Sequence, residues 1–336
     1  MDKNPTIVFP QPERVKLDEK EIPSPGRGEV LIKTICSLIS TGTELTLLSG
    51  KYPPGSAWAR YGKFPVIPGY SNVGRIIRAG EGVDDSWIGK TVASHTPHSA
   101  FVLSSLENLR LIDIDISPEE VAFFAIAEIC LNGIRRAKVV LGESVAVYGL
   151  GLLGQLTARF AHLAGARPVI GIDIAETRLN KLPQKPGFIA INPKKTNVRE
   201  EVSRLTKGKL ADVVFEVTGN PELIPSEFEI LRPQGRFVVL SSPYGPTPNF
   251  DFHDLCNSPS FIIIGAHNMS HPQYPTLDNP WTQKRHFELF KDLLLAGELD
   301  IKDLITHRVN YKEAPEIYRL LLEDKSCALG VIIKWD

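Results

Sequence analysis

Short apolar runs broken by glycine and proline fill the first hundred or so positions. Residues 29–34 have strand character and follow the turn Pro-Gly-Arg-Gly at 25–28. Residues 73–78 and 91–94 read as further short strands, with a glycine-punctuated turn at 79–83, and 51–56 reads as a loop. The pattern changes at Ser117. Ser can cap a helix, Pro118 fits a first turn, and Glu119 and Glu120 suit its positive end. From there to about residue 265, continuous apolar runs at 144–148, 168–173, 212–217, 236–240 and 261–265 alternate with helical stretches such as 155–164. Strands apolar on both faces and separated by helices imply a parallel sheet covered on both sides.

Beyond that sheet the period changes again. Residues 268–282, rich in Pro, His and Asn, read as a loop. Phe287, Phe290, Leu293 and Leu294 then fall at helical spacing, and Gly297 ends the helix. A second helix is predicted over 314–322 and a closing strand over 328–334. No internal repeat or low-complexity segment interrupts the chain.

At 336 residues the chain suits two domains rather than one core. A formal net charge of −1 gives no electrostatic reason to expect nucleic acid or an acidic membrane surface as partner. No apolar run reaches membrane-spanning length, and the opening residues lack the apolar core of a secretory signal, so a cytoplasmic protein is expected. Cys36, Cys130, Cys256 and Cys327 are far apart, which argues against a disulfide framework or a cysteine-built zinc lobe and for buried free thiols.

The strongest local signal is Gly149-Leu150-Gly151-Leu152-Leu153-Gly154. It ends an apolar strand and opens an apolar helix, the context a dinucleotide fingerprint needs. Gly149 would make the tight turn, Gly151 would admit a pyrophosphate, and Gly154 would let helix and strand pack closely. The second strand ends at Asp173, 24 positions after Gly149 (173 − 149), followed by Ile174. An acid there accepts from the adenosine ribose hydroxyls and repels a 2′-phosphate, so NAD is expected over NADP, with Arg178 as the residue that would tolerate the phosphate. Thr218 and Gly219, Ser241 and Ser242, and Gly265 and Ala266 end the later strands, where ligands of such sheets bind.

The chain resembles the medium-chain dehydrogenase/reductase superfamily over nearly its whole length. The resemblance rests on Gly69-Tyr-Ser-Asn-Val-Gly74, the turn Gly80-Glu-Gly-Val83, the cofactor motif and Leu304-Ile-Thr-His307. It implies an α/β protein with a discontinuous GroES-like, β-rich catalytic domain (1–118 and 268–336). A doubly wound Rossmann domain (119–267) is inserted in it, with the active site in the cleft between them. Homo-oligomerisation as a dimer or tetramer is implied too. The positions of two zinc ligands carry Thr41 and Tyr70, and the third falls near Ala125 or Glu128. A catalytic zinc needs three N, S or O ligands from the protein. The resemblance is closest to a zinc-less branch described as sugar or polyol dehydrogenases or bacteriochlorophyllide dehydrogenase, on residues 37–44, 149–155 and 265–268.

Without a metal, alcohol oxidation needs a side chain to take the hydroxyl proton. Tyr70 is either that donor and acceptor or a packed aromatic wall. Glu44 is either a base or one half of a structural ion pair. Thr43 either relays protons or bonds its own backbone. His98 is either a base or a satisfied structural histidine. His267 and Asn268 are expected to border the nicotinamide or substrate. His267 and His271 have metal-like spacing, but Pro272 argues against a helix and hence against a metal there. Thr41, together with Trp58 and Arg60 in the loop 52–64, is a candidate substrate contact, with a dimer contact as the loop's other reading.

These readings converge on a zinc-independent, NAD-dependent oxidoreductase. It would interconvert a secondary alcohol and a ketone on a sugar, cyclitol or polyol. Two alternatives stand beside it: a zinc-less reductase of activated alkenes or carbonyls, and a non-catalytic dinucleotide-binding redox sensor.

Overall fold

The computed structural model describes residues 2–113 and 115–336. Two compact units result: unit 1 is Met1–Ala125 with Phe287–Asp336, and unit 2 is Ile126–His286. The first part of unit 1 contains strands β1 (Asn4–Gln11), β2 (Arg14–Lys20) and β3 (Glu29–Leu38), then helices α1 (Thr43–Ser49) and α2 (Ala57–Tyr61). Strands β4 (Asn72–Ala79), β5 (Thr91–Ser94), β6 (Phe101–Ser105) and β7 (Arg110–Ile112) and helix α3 (Pro118–Val121) follow. Helix α4 (Phe124–Ala137) leads into unit 2. There β8 (Val145–Tyr148), α5 (Leu152–Leu163), β9 (Val169–Ile172), α6 (Glu176–Leu179), β10 (Phe188–Ile191) and α7 (Val198–Leu205) alternate. The unit continues with β11 (Ala211–Glu216), α8 (Ile224–Glu227), β12 (Leu231–Val239) and β13 (Ile262–Gly265). Helix α9 (Gln283–Leu295) returns the chain to unit 1, which ends with β14 (Ile305–Asn310), α10 (Ala314–Glu323) and β15 (Gly330–Lys334).

Unit 1 is built on a seven-stranded sheet in the order β14-β15-β3-β4-β5-β7, with β6 paired to β3. Strand β3 is buried almost throughout because it is flanked by β4, β6 and β15. The hairpin β1–β2 packs its Phe9 edge-on against Tyr318 of α10 (ring centroids 5.2 Å apart), and Tyr311 stacks on Trp335 at 5.4 Å. The two segments of unit 1 therefore share one core, in which Ile7, Leu31, Ile317 and Trp335 are all buried.

Unit 2 is a six-stranded parallel sheet in the order β10-β9-β8-β11-β12-β13. The switch in strand order between β8 and β11 places the carboxyl end of β8 beside that of β11, with Tyr148 level with Glu216. Gly149 has φ +91°, a conformation that costs glycine nothing. At Gly154 an added Cβ would stand 1.8 Å from the Gly149 carbonyl oxygen, so the close approach of α5 to this turn requires glycine.

Several expectations need correction. The hairpin β1–β2 and the short strand β10 were not evident in the hydrophobic pattern. The unit boundaries fall at 125/126 and 286/287, not at 118/119 and 267/268. The loop that follows β13 is the reason, because it is tied to α4. Asn132 Nδ2 donates to the His267 carbonyl (3.3 Å) and to Ser270 Oγ (2.8 Å). Residues 57–61, expected as part of a loop, form helix α2, capped where Ser56 Oγ accepts from the Ala59 amide at 3.1 Å. Cys36 and Cys130 are buried thiols, each pushed up to about 12 by burial, whereas Cys256 is half-buried and Cys327 exposed. No helix among the described residues is long and apolar enough to cross a membrane.

The glycine geometry separates two substitutions that look alike in sequence. Gly154→Ala drives a Cβ into backbone and should lower unfolding free energy by about 3 kcal/mol or more. Gly151→Ala meets no atom within 4 Å and should stay within about 1 kcal/mol. Urea denaturation of the two variants beside the parent protein checks both; equal midpoints would refute the packing role of Gly154.

Candidate functional site

In unit 2 the carboxyl ends of β8, β9, β11, β12 and β13 carry the predicted cofactor residues. Asp173 is buried, and its two oxygens accept from backbone amides on either side. Oδ2 takes the Leu150 amide at 2.7 Å and Oδ1 the Ala175 amide at 2.8 Å. Arg178 Nη1 lies 3.7 Å from Oδ2. The carboxylate thus ties the glycine turn to the end of β9. Because the Leu150 amide is committed to it, the donors left at this turn are the first amides of α5, which have no intrahelical partner. Gly151 leaves open space beside them. Gln155 Nε2 braces the arrangement by donating to the Arg178 carbonyl at 2.8 Å. Ile174 is exposed, while Leu150, Leu152 and Gly154 are buried. An open glycine edge at a helix amino end, beside a buried acid, fits a dinucleotide pyrophosphate and ribose.

Glu216 organises the next strand end. Its Oε1 accepts from the Thr218 amide (2.7 Å), Thr218 Oγ1 (2.7 Å) and the Gly219 amide (2.8 Å), and its Oε2 accepts from Ser241 Oγ. One carboxylate thereby fixes Thr218, Gly219 and Ser241 together; Ser242 is exposed beside them. Sequence reasoning missed this role, although the Glu-x-Thr-Gly spacing of an acid two residues before a hydroxyl is a readable signal. Glu227 on α8 is the opposite case. It is fully buried, and neither of its oxygens has a hydrogen-bond partner. Burial and the nearby Glu216 carboxylate push it up to about 10, so it is a neutral acid at ordinary pH. Tyr148 is raised as well, by burial first and then by Glu227 and Glu229.

At β13 the Gly265 carbonyl accepts from Arg136 Nε at 2.7 Å, and Ala266 is buried. His267 is exposed and caps the turn that follows, its Nδ1 accepting from the Met269 amide at 3.2 Å. The Asn268 carbonyl receives His271 Nδ1 at 2.7 Å.

In unit 1 the predicted catalytic residues separate into two layers. Tyr70 is partly exposed, and its hydroxyl lies 2.5 Å from Ser40 Oγ, so either oxygen can donate to the other. Ser40 is a second residue that sequence reasoning missed; a lone serine has no distinguishing pattern. Behind it, Glu44 and His98 are both buried, at 1% and 0% exposure. Glu44 accepts from the Ser40 amide (2.8 Å), from His98 Nε2 (3.1 Å) and from the Tyr318 hydroxyl. On the far side of the ring, Trp335 Nε1, which can only donate, gives its hydrogen to Ser37 Oγ at 2.9 Å. The Ser37 proton then points to His98 Nδ1 (2.8 Å), and His98 carries its own hydrogen on Nε2 toward Glu44. Of the two readings open for each residue, this geometry is that of a structural pair for Glu44 and of a satisfied structural histidine for His98. Their polar atoms are satisfied by each other and by the ends of the chain, out of reach of solvent.

Thr41 and Thr43 flank the start of α1, both partly exposed. Trp58 and Arg60 sit on α2, with Arg60 Nη1 donating to the Gly55 carbonyl at 3.0 Å. The donors of this unit do not suit a catalytic zinc. Thr41 and Tyr70 offer hydroxyls, and Glu44 and His98 are bonded to each other. Among the described residues, no three His, Cys, Asp or Glu side chains gather where they could hold a metal.

Comparison with known proteins adds four findings. Residues 153–280 match the family described as zinc-binding dehydrogenase. The chain is 30% identical over 279 residues to D-guloside 3-dehydrogenase of Escherichia coli, covering 81% of this chain and 78% of that protein. It is 26% identical over 356 residues to L-threonine 3-dehydrogenase of Pyrococcus furiosus, covering 95% and 96%. Among solved structures, benzyl alcohol dehydrogenase from Acinetobacter calcoaceticus superposes with a TM-score of 0.82 at 20% identity, over 99% of each chain, which shows the common fold.

The state of Glu227 has a measurable consequence. Its folded value lies above the unfolded one, so the folded protein holds a proton that the unfolded chain has lost. This contribution to stability is complete below about pH 4.5 and is lost as pH rises toward about 10. Glu227→Gln, neutral at every pH, removes that loss. The variant should gain on the parent by up to roughly 4 kcal/mol between pH 5 and 8. Chemical denaturation at both pH values tests it, and a difference that does not change with pH rules out the neutral acid.

Proposed function

The chain belongs to the zinc-type medium-chain alcohol/polyol dehydrogenase-like superfamily, and from that premise we propose that it is a zinc-independent, NAD-dependent oxidoreductase. It interconverts a secondary alcohol and a ketone on a sugar, cyclitol or polyol. The observation that carries this reading is the Tyr70–Ser40 hydroxyl pair, standing where a metal-dependent member would carry metal chemistry. Two hydroxyls 2.5 Å apart, one of them partly exposed, can receive the proton of an alcohol or return it to a ketone. Glu44 and His98 act through Ser40 as positioning residues, because Glu44 holds the Ser40 amide. The relative that dehydrogenates a guloside supports the sugar-like substrate class.

Bound NAD supplies the hydride acceptor. Gly151 and the first amides of α5 would hold its pyrophosphate, Asp173 its adenosine ribose, and the Glu216-fixed Thr218–Gly219 turn with Ser241 would position the remainder. Asp173 favours NAD over NADP because a second negative charge would meet a buried carboxylate. The substrate contacts we assign are Thr41, Trp58 and Arg60 in unit 1 and His267 and Asn268 in unit 2. The compartment we expect is the cytoplasm.

A homo-oligomer is part of the proposal. Strand β13 is the edge of the parallel sheet, and Ile262 and Ile263 on it are 53% and 42% exposed. Edge strands of this kind are templates for pairing with a second copy.

The first test follows NAD-linked and NADP-linked turnover by chelator-treated protein across sugars, cyclitols and polyols, with zinc content read in parallel. Turnover with NAD and no bound zinc is expected. Tyr70→Phe and Ser40→Ala should each lower kcat on the order of 100-fold with little change in NAD affinity. Activity that vanishes on chelation and returns with zinc overturns the metal-free proposal. For the oligomer, Ile263→Lys should convert the assembly to monomer in light scattering; an unchanged mass would move the interface elsewhere.

A further inference from the structure

A basic and aromatic cluster in unit 2 is not used by the proposed reaction. Arg135 lies in the last turn of α4 and Arg285 in the first turn of α9. Both guanidiniums lie over the Trp281 indole, their ζ carbons 3.0 and 4.0 Å from the ring centroid. Arg135 is half-buried, yet its Nε donates to a neutral acceptor, His286 Nε2, at 3.2 Å. The hydrogens of the cluster then all run one way. His286 Nδ1 donates to His271 Nε2 (2.9 Å), and His271 Nδ1 to the Asn268 carbonyl (2.7 Å), so His286 Nε2, already taken by Arg135, is the one ring nitrogen of this pair that accepts from the arginines.

Among the described residues, no carboxylate forms an ion pair with Arg135 or Arg285. The only acceptor that Arg285 reaches among the described residues is the Pro280 carbonyl, at 3.4 Å. Asp278, Glu288 and Asp292, the acids nearest Arg285 in sequence, form no ion pair with it among the described residues. Burial and then Arg285 push Arg135 down to about 10, while burial, then His271, Arg135 and Arg285, push His286 down to about 3. Helix α9 has thirteen residues and no acid in its first turn, so its positive end adds to the same field. Arg135 is half-buried and Arg285 exposed; a charge partly withdrawn from water is ordinarily paired, and two cations sharing one ring at a helix amino end attract an anion as that partner. Beyond the bonds from Arg135 to His286 and from Arg285 to Pro280, each guanidinium keeps N–H donors without an acceptor among the described residues, and a phosphate oxyanion takes such donors.

We propose that Arg135 and Arg285, held over Trp281 at the amino end of α9, bind a phosphate oxyanion, either as the free ion or as the phosphoryl group of a polyol phosphate. The site stands on its own geometry; only the polyol phosphate source rests on the proposed dehydrogenase reading.

The test is a binding experiment on the full chain, read by tryptophan fluorescence and by thermal shift. Inorganic phosphate, sorbitol 6-phosphate and sorbitol are titrated in turn. Saturable binding of inorganic phosphate, weakened at least tenfold in Arg285→Gln with NADH binding unchanged, supports a free-ion site. Sorbitol 6-phosphate binding at least tenfold tighter than phosphate or sorbitol, with the same arginine dependence, assigns the phosphoryl group of a substrate. Arg135→Gln should show the same loss; if it does not fold, the exposed Arg285 position decides alone. The proposal is overturned if neither phosphate compound binds saturably, or if both bind the parent and the Arg285 variant equally. Neither result depends on turnover, so a failed dehydrogenase assay leaves this outcome separate.

Discussion

A single buried carboxylate holds the two ends of unit 1 together. Glu44, at the start of α1, accepts from the Ser40 amide beside it, from His98 in the loop before β6, and from Tyr318 on α10. Ser37, one strand position away from this group, receives Trp335 from the end of the chain. Hydrogen bonds to a charged group contribute about 1.5–3 kcal/mol each, and a buried donor left without its partner costs a comparable amount. The network therefore does more than close the fold. It sets the backbone of Ser40, and through Ser40 the position of the Tyr70 hydroxyl.

The carboxylates of this protein differ in role because they differ in donors. Asp173 accepts two backbone amides and fixes a turn. Glu216 accepts four donors and fixes three residues of a strand end. Glu44 accepts from a backbone amide, a ring and a phenol, and joins distant segments. Glu227 accepts none and keeps its proton. Residue type alone does not separate them; the count of donors around each oxygen sets the three hydrogen-bonded carboxyl groups apart from the one neutral acid.

Much of this was legible in the sequence where local rules operate. The alternation of apolar runs and helices gave the parallel sheet, and Gly149-x-Gly151-x-x-Gly154 gave its turn, because each glycine answers to a backbone constraint within a few residues. The GroES-like unit was legible only through resemblance. Its strands β3 and β15 are some 300 residues apart in sequence, and no local pattern pairs them. The candidate site was less legible. Tyr70 was visible as a replaced ligand position, but Ser40 was not, since its meaning comes from a hydroxyl 30 positions away. Glu44 and His98 were visible as candidates with two readings each, and residue type did not decide between them, because burial of the pair depends on Tyr318 and Trp335, at the far end of the chain.

The order of strands has a consequence for how the protein is made. Strand β3 is among the earliest elements synthesised, yet one of its partners in the seven-stranded sheet, β15, is the last. Unit 2 is one continuous stretch whose six strands are all available well before synthesis ends. On the ribosome, β4 and β6 can pair with β3 early, but its end at Cys36–Leu38 waits for β15 for the whole time unit 2 is being translated. Chaperone demand should be set by that waiting period, and a stalled or truncated product would expose that end of β3 as an adhesive edge.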